Sequence, residues 1–251
     1  MQRLNLEIQQ FYEYAKPNHL ETAVRKQLIE QVRVHVRKTL PKYVLEVFGS
    51  EKTGLSLPTS DIDFRLMKKE QLEDPAISKL PPTPGERANV MKALRHLYSS
   101  NLSKNGAYML SAFRHARYPL ISLQDKKSGL DVQVVLSNDT SMSREFMHRY
   151  MEQYPHLRQL YYVVKTMFDV RGLSDVFRGG IGSYSLFMMI VASMQHKPHQ
   201  RADAAGALLN FFKFYIDFDI TKQGISLEPP WLFDKEEVKV QTDTVKAKLA
   251  V

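Results

Sequence analysis

Cysteine is absent from all 251 residues. That excludes a disulfide framework, zinc–thiolate sites and thiol catalysis, and it agrees with a reducing compartment. Long hydrophobic runs are missing too. The most apolar stretch, 184–194, is too short to span a bilayer, and the N-terminus has no apolar export core. Internal repeats and low-complexity segments are also absent. Together these absences predict a soluble intracellular protein, cytoplasmic rather than nuclear, with no membrane partner.

What is present is an ordinary globular composition, 43% hydrophobic and 25% charged, long enough for one large domain or two modest ones. Lysine and arginine number 35 against 27 acidic residues, a formal charge of +8. A basic surface favours a polyanionic partner, nucleic acid, nucleoside triphosphate or anionic lipid, although many basic proteins bind nothing anionic.

Hydrophobic periodicity divides the chain into three blocks. Residues 1–15 read as a short helix ending before Pro17. A longer helix over 20–40 carries Leu20, Val24, Leu28, Val32 and Val36 at helical spacing and stops at Pro41. The period then becomes strand-like at 43–48 and 60–66. A proline-rich loop over 74–86 and a helix over 87–102 follow, and then strands over 109–113, 118–124 and 130–136, the last two joined by a hairpin turn. After Ser141 the pattern is helical again, with helices on either side of Pro155, an almost wholly apolar one after Gly182, and one over 203–218. The tail beyond Glu228 has no assigned structure. The expected fold class is α+β with two lobes: a mostly antiparallel sheet-and-helix lobe over 42–140, and a helical lobe joining 1–41 with 141–251.

The chemistry concentrates in the middle block. Asp61 and Asp63 lie two apart on a strand, so both side chains leave the same face. Side-by-side carboxylates repel unless a cation lies between them, and magnesium needs only a few carboxylates plus phosphates and water. Asp131 opens another strand among Leu130, Val132, Val134 and Val135. An aspartate in such surroundings is costly without a partner. If its strand neighbours that of Asp61 and Asp63, the three carboxylates converge on a site for two metal ions. An Asp-x-Asp pair by itself more often sits on a solvated loop. Its context changes the balance: Phe48-Gly49-Ser50 ends a strand upstream and turns into a short helix, offering backbone N–H groups and a hydroxyl to phosphate.

Phe48-Gly49-Ser50, the spacer 51–60, Asp61-Ile62-Asp63 and the distant Asp131 together resemble the signature of the DNA polymerase β-like nucleotidyltransferase superfamily. Leu57-Pro58-Thr59-Ser60-Asp61-Ile62-Asp63 is similar, more narrowly, to the noncanonical poly(A) and poly(U) polymerases. Arg117-Tyr118-Pro119-Leu120-Ile121 is similar to the family's strand preceding its third aspartate. The resemblance implies a magnesium- or manganese-dependent enzyme. Asp61, Asp63 and Asp131 would be metal ligands and catalytic residues, and Gly49 and Ser50 would lie at the triphosphate. The reaction implied is template-independent addition of nucleotides from nucleoside triphosphates to RNA 3′ ends, with protein partners in RNA decay or surveillance.

A second cluster, Gly179-Gly180-Ile181-Gly182-Ser183-Tyr184, places small residues before a helix. The glycines permit close backbone approach to a ligand, and the tyrosine offers a face for stacking a base. A glycine turn with a buried tyrosine is the plainer reading. The cluster resembles the family's nucleotide-recognition motif, which implies Lys165 and Ser183 at the triphosphate, Tyr184 on the base, and Ser143 and Arg144 near the sugar and base edge. Asp169 stands where some relatives have a second lysine. The family's C-terminal Asp-Pro-Asn recognition segment is not found after Glu228. The family includes enzymes adding A, enzymes adding U and a fungal branch adding mixed C and U tags. Donation by Arg144 to the O2 acceptor of C and U would favour pyrimidines, with Ser174 as a further candidate at the base edge.

Other features are weaker. His196 and His199 suggest a metal pair, but Pro198 and polar neighbours suit a solvated loop. The aromatic run Phe211, Phe212, Phe214, Tyr215 and Phe218 reads as core. Two alternatives stay open: a catalytically silent RNA-binding scaffold of the same fold, and a nucleotidyltransferase acting on a small molecule.

Overall fold

The structure is a computed structural model, and it describes residues 1–73, 83–115, 119–136, 140–196 and 203–236. The putting-down of the chain begins with well-marked helix starts. Helix α1 runs Gln2–Ala15. Helix α2, His19–Thr39, opens on a capping box. Asn18 Oδ1 accepts from the Leu20 and Glu21 amides at 2.9 and 3.0 Å, and Glu21 Oε2 accepts from the Asn18 amide at 2.8 Å. A cap of this kind stabilises a helix by about 1 kcal/mol. Helix α5, Pro84–Leu97, starts the same way on Thr83 and Glu86, with proline in its first turn. Short helices α3, Gly49–Thr53, and α4, Lys69–Glu73, lie between α2 and α5. A π-helical turn, Tyr98–Leu102, extends α5.

Strands β1 (Tyr43–Phe48), β2 (Ile62–Lys68), β3 (Tyr108–Arg114), β4 (Leu120–Asp125) and β5 (Asp131–Val135) form one sheet in the order β1-β2-β5-β4-β3. Only the β2–β5 pair within it is parallel. The alternation of side chains gives this sheet two unlike faces. Leu45, Ile62, Phe64, Leu66, Ile121, Leu123, Val132 and Val134 point to one face, where they form a single buried cluster with α2 and α5. Asp63, Gln133, Ser122 and Gln124 fall on the other, since Asp63 pairs with Gln133, Gln133 with Ser122, and Asp131 with Gln124.

The chain divides into two compact units, 15–149 and 1–14 with 150–251. This corrects the expected boundaries at α2. The stripe predicted to be buried includes Leu20 and Val24, which are exposed. The stripe that is buried is Arg25, Leu28, Ile29, Val32 and Val36, and its apolar members belong to the core of the sheet. The helix therefore covers the apolar sheet face, which would otherwise lose the burial that stabilises it.

The second unit contains α1 and helices α7 (Leu157–Val170), α8 (Ser183–His196) and α9 (Ala204–Asp217), while α6 (Ser141–Gln153) straddles the division. Helix α8 buries Leu186, Phe187, Ile190, Val191, Ala192 and Ser193, as its apolar composition requires. Phe211 and Phe214 of the aromatic run are buried, in agreement with a core role, whereas Phe212 is exposed and Tyr215 and Phe218 are half-buried. A hairpin of β6 (Gln223–Leu227) and β7 (Pro230–Asp234) has no counterpart in the sequence reading. Its signal is the alternation of Ile225 with Leu227 and of Trp231 with Phe233 about a Glu228-Pro229 turn. Among the described residues no helix is long and apolar enough to cross a membrane. Of the loop assigned to 74–86, residues 74–82 lie outside the described residues, and Pro84–Glu86 form the first turn of α5 instead; the segment Arg117-Tyr118, His199 and the tail from 237 also lie outside the described residues.

Candidate active site

Asp61 immediately precedes β2, Asp63 lies within it, and Asp131 opens the parallel neighbour β5. Parallel pairing in this register puts all three carboxylates on the polar face. Asp63 is partly buried. Its carboxyl is pushed up from the ordinary 3.8 to about 6, first by loss of water and second by the charge of Asp61, with Arg25 pulling it back. Asp131 is also raised, by burial and again by Asp61, against a hydrogen bond from Gln124. Asp61 is thus the charge felt by both others. One of its oxygens, Oδ2, accepts from Gln133 Nε2 at 2.6 Å.

The three do not gather into one ligand shell: among the described residues no group of three or more histidine, aspartate or glutamate side chains is set to hold an ion. Repulsion acts pairwise through Asp61, and Gln133 occupies one of its oxygens. The donor set nevertheless fits a hard divalent cation. All donors are oxygens, and two mutually repelling carboxylates, one of them poorly solvated, are relieved by a cation that also takes water and phosphate ligands.

Gly49 is required where it stands. Its φ is +66°, and a Cβ there would come 2.4 Å from Asp63 Oδ2. The Gly-Ser turn is therefore pressed directly against the second carboxylate, which joins the two sequence motifs in one place. Gly49→Ala would add the cost of a left-handed alanine, about 1–2 kcal/mol, and would also displace Asp63. We expect catalytic turnover to fall on the order of a hundredfold, as for other small displacements of reacting groups. Steady-state kinetics on a variant verified as folded by circular dichroism would check it, and near-normal turnover would count against contact between the two motifs.

The residue that sequence reasoning missed is Arg25. It is 1% exposed and sits on the buried stripe of α2. Its Nε donates to Glu51 Oε2 at 2.7 Å. Nη1 donates to the carbonyls of Pro58 and Ser60 at 3.2 and 2.8 Å, and Nη2 to that of Asp61 at 3.3 Å. One buried guanidinium thereby ties the short helix α3 to the turn that presents Asp61. The signal available in the sequence was a cation three residues before Leu28 on the stripe that faces the core.

The remaining candidates fall as follows. Ser143 and Arg144 are on α6, and Arg144 is engaged by Glu46 Oε1 and Thr140 Oγ1, each at 3.5 Å. Glu46 also faces the buried Arg65 at 3.6 Å. The guanidinium invoked to read a pyrimidine O2 therefore already has an acceptor on the sheet. Lys165, Ser183 and Tyr184 belong to the other unit. Lys165 is paired with Asp169 one turn on. Ser183 shares a hydrogen bond with Tyr161, whose hydroxyl is pushed up to about 12, mainly by burial. Tyr184 is 44% exposed. Gly180 packs within its own turn: a Cβ there would meet the Leu173 and Asp175 carbonyls at 2.5 and 2.7 Å. That glycine serves the turn itself and not a ligand. The Ser174 hydroxyl is buried with no hydrogen-bond partner. His196 stacks on Phe214 with ring centroids 5.9 Å apart.

Comparison with known proteins identifies the family. Residues 4–152 match the mitochondrial-like poly(A) RNA polymerase central palm domain. The chain is 28% identical over 216 residues to the poly(A) RNA polymerase CID14 of Cryptococcus neoformans, covering 86% of this chain and 26% of that protein. It is 26% identical over 231 residues to the poly(A) RNA polymerase cid12 of Schizosaccharomyces pombe, covering 90% and 63%. The polymerase core of TRAMP, an RNA surveillance complex, superposes with a TM-score of 0.75 at 25% identity, over 93% of this chain and 71% of that one. The chain spans 26–35% of the length of three of the curated relatives it matches.

Proposed function

We propose, because the chain belongs to the mitochondrial-like poly(A) RNA polymerase central palm family, that it adds nucleotides from nucleoside triphosphates to RNA 3′ ends without a template. The observation that carries this reading is the partly buried Asp63, held beside Asp61 on the polar sheet face with Gly49 packed against it. The 3′-oxygen of the RNA attacks the α-phosphorus of the triphosphate. The bond from that phosphorus to the bridging oxygen breaks, and pyrophosphate leaves.

Asp61, Asp63 and Asp131 would hold magnesium or manganese, which supplies Lewis-acid activation of the hydroxyl and neutralises charge on the phosphates. Arg25 holds the backbone of Asp61 in place. Asp131, at the start of β5 beside Asp61, takes the proton of the attacking hydroxyl. Gly49 and Ser50 meet the triphosphate. By the resemblance of their order and spacing, Lys165, Ser183 and Tyr184 would be nucleotide-binding residues of the helical unit. Adenylate is the favoured product, because the relatives are named poly(A) RNA polymerases and Arg144 is already engaged by Glu46. By the same likeness the protein acts with protein partners in RNA decay or surveillance.

Extension of a labelled oligoribonucleotide with each of the four triphosphates separately would test this reading. We expect ladders with ATP above all, and none in excess EDTA. Extension that persists in EDTA, or no extension with any triphosphate, would reject it.

A further inference from the structure

The polar face at the start of β2 and β5 is a four-cornered cell. Ile62 pairs with Val132 and Asp63 with Gln133, so Asp61 and Asp131, each one residue earlier, stand level across the two strands. Residues two apart on a strand share a face at a separation of about 6.6 Å, and neighbouring strands lie about 4.8 Å apart. Three corners of the cell are carboxylates and the fourth is the amide of Gln133. That amide neighbours all three aspartates. It lies across from Asp63 and two residues beyond Asp131, and its Nε2 donates to Asp61 Oδ2 at 2.6 Å.

This bond runs along one diagonal of the cell, between Asp63 and Asp131 on the other. A cation shared by the carboxylates needs the same middle ground. Among the described residues it is the one hydrogen bond that the Asp61 carboxylate accepts, and a bond to an ionised acceptor is stronger than a neutral one. Carboxylates this close repel unless positive charge lies among them. The N–H of Gln133 does part of what a cation does there. The amide also has somewhere to go. On its other side β4 places Ser122 level with Gln133. Ser122 Oγ accepts from Arg114 Nε at 3.1 Å, which leaves the hydroxyl proton for the amide carbonyl. A cavity of about 270 Å³, lined by Gln133, Ser122 and Arg114 with Asp61 and Asp131, gives the side chain room to turn.

We propose that Gln133 is a positioning residue that competes with the metal ion: its amide holds Asp61 until a divalent cation displaces it and turns it towards Ser122. This rests on the polymerase reading above, which takes Asp61 as a ligand. The bond steadies the carboxylates when no cation is bound, and it weakens metal binding, because a cation that takes Asp61 Oδ2 first breaks it. A partner that only orients a ligand acts in the opposite sense. Its bond is kept when the metal binds, and its loss weakens metal affinity about 10–100-fold. The sign of the change in affinity separates the two roles.

The test is Gln133→Met, which keeps the length of the side chain and removes the donor, with Gln133→Ala as a second variant. Loss of the free-ion electron paramagnetic resonance signal reads manganese binding without turnover, and melting temperature is measured in EDTA. We expect both variants to bind manganese more tightly than the wild type, by roughly tenfold for Gln133→Met, the effect of one hydrogen bond to a charged group. Both should melt below the wild type in EDTA, and the rise in melting temperature on adding manganese should be larger in each. A merely structural glutamine would lower the melting temperature in EDTA and leave manganese affinity unchanged. If the wild type binds manganese and extends RNA while the variants bind it equally or more weakly, the competing role is overturned and the polymerase reading stands. If the wild type binds no manganese and extends no RNA with any triphosphate, the polymerase reading fails and this assignment with it.

Discussion

Asp63→Asn is expected to abolish RNA extension while making the protein more stable at neutral pH. Asparagine keeps the shape of the side chain and removes its charge. Loss of a ligand for the cation should cost on the order of a thousandfold or more in turnover, the scale seen when a centre of charge stabilisation is removed. Stability moves the other way. The Asp63 carboxyl has a folded value of about 6 against an ordinary 3.8, so the folded state holds its proton more tightly than the unfolded one. Below pH 3.8 both states are protonated and nothing is lost. Between 3.8 and 6 the unfolded state ionises first, and stability falls as pH rises. Above 6 the penalty is constant, at most roughly 3 kcal/mol at 1.36 kcal/mol per unit, and less with partial solvent access.

Asparagine never carries that penalty. Thermal unfolding in EDTA should therefore show the variant above the wild type at pH 7.5, and the two converging near pH 3.5–4. Added magnesium should raise the wild-type melting temperature and leave the variant unchanged, since a cation between Asp61 and Asp63 is stabilising only where both are charged. A variant that is less stable than wild type at pH 7.5, or that retains turnover, would contradict the assignment of Asp63.

Arg25→Met should lower both stability and turnover. The guanidinium is buried, and its removal leaves Glu51 without its 2.7 Å partner and three carbonyls without a donor. Breaking a buried pair from one side costs about 3–5 kcal/mol, roughly 10 °C or more for a chain of this size. The double variant Arg25→Met/Glu51→Gln separates the two effects. It buries no unpaired charge, so part of the melting temperature should return. Extension at a temperature where the double variant is folded should stay low, because the turn carrying Asp61 still lacks its tie. Arg25→Lys should fall between, since an ammonium keeps the charge but cannot span Glu51 and the turn with one planar fork. Recovery of full turnover in the double variant would show that Arg25 serves stability alone.

The contrast between these two residues marks how far the sequence could be read. Asp61 and Asp63 were legible because their spacing, two residues on a strand-like run, fixes a shared face without knowledge of any neighbour. The Gly-Ser turn and Asp131 were legible as an ordered signature. Helix and strand positions followed for the same reason: periods of 2 and 3.6 and capping residues such as Asn18 are local properties. The hairpin at 223–234 escaped because its strands are short and its period covers few residues.

What only the tertiary structure decided is which elements face one another. The apolar stripe of α2 says that it must be covered, not that the cover is the sheet; that choice set the boundary of the units and buried Arg25 opposite a turn 33–36 residues away. Arg144 looked free for a base until the fold put Glu46 of β1 beside it. Leu110 read as one more strand residue, and its outward, left-handed placement arises from a register shift that only pairing with β4 creates. The three aspartates could be named from sequence. That Asp61 acts on each of the others, and that a glycine leans on Asp63, depends on strand order and close contact, which are long-range packing choices that no local pattern encodes.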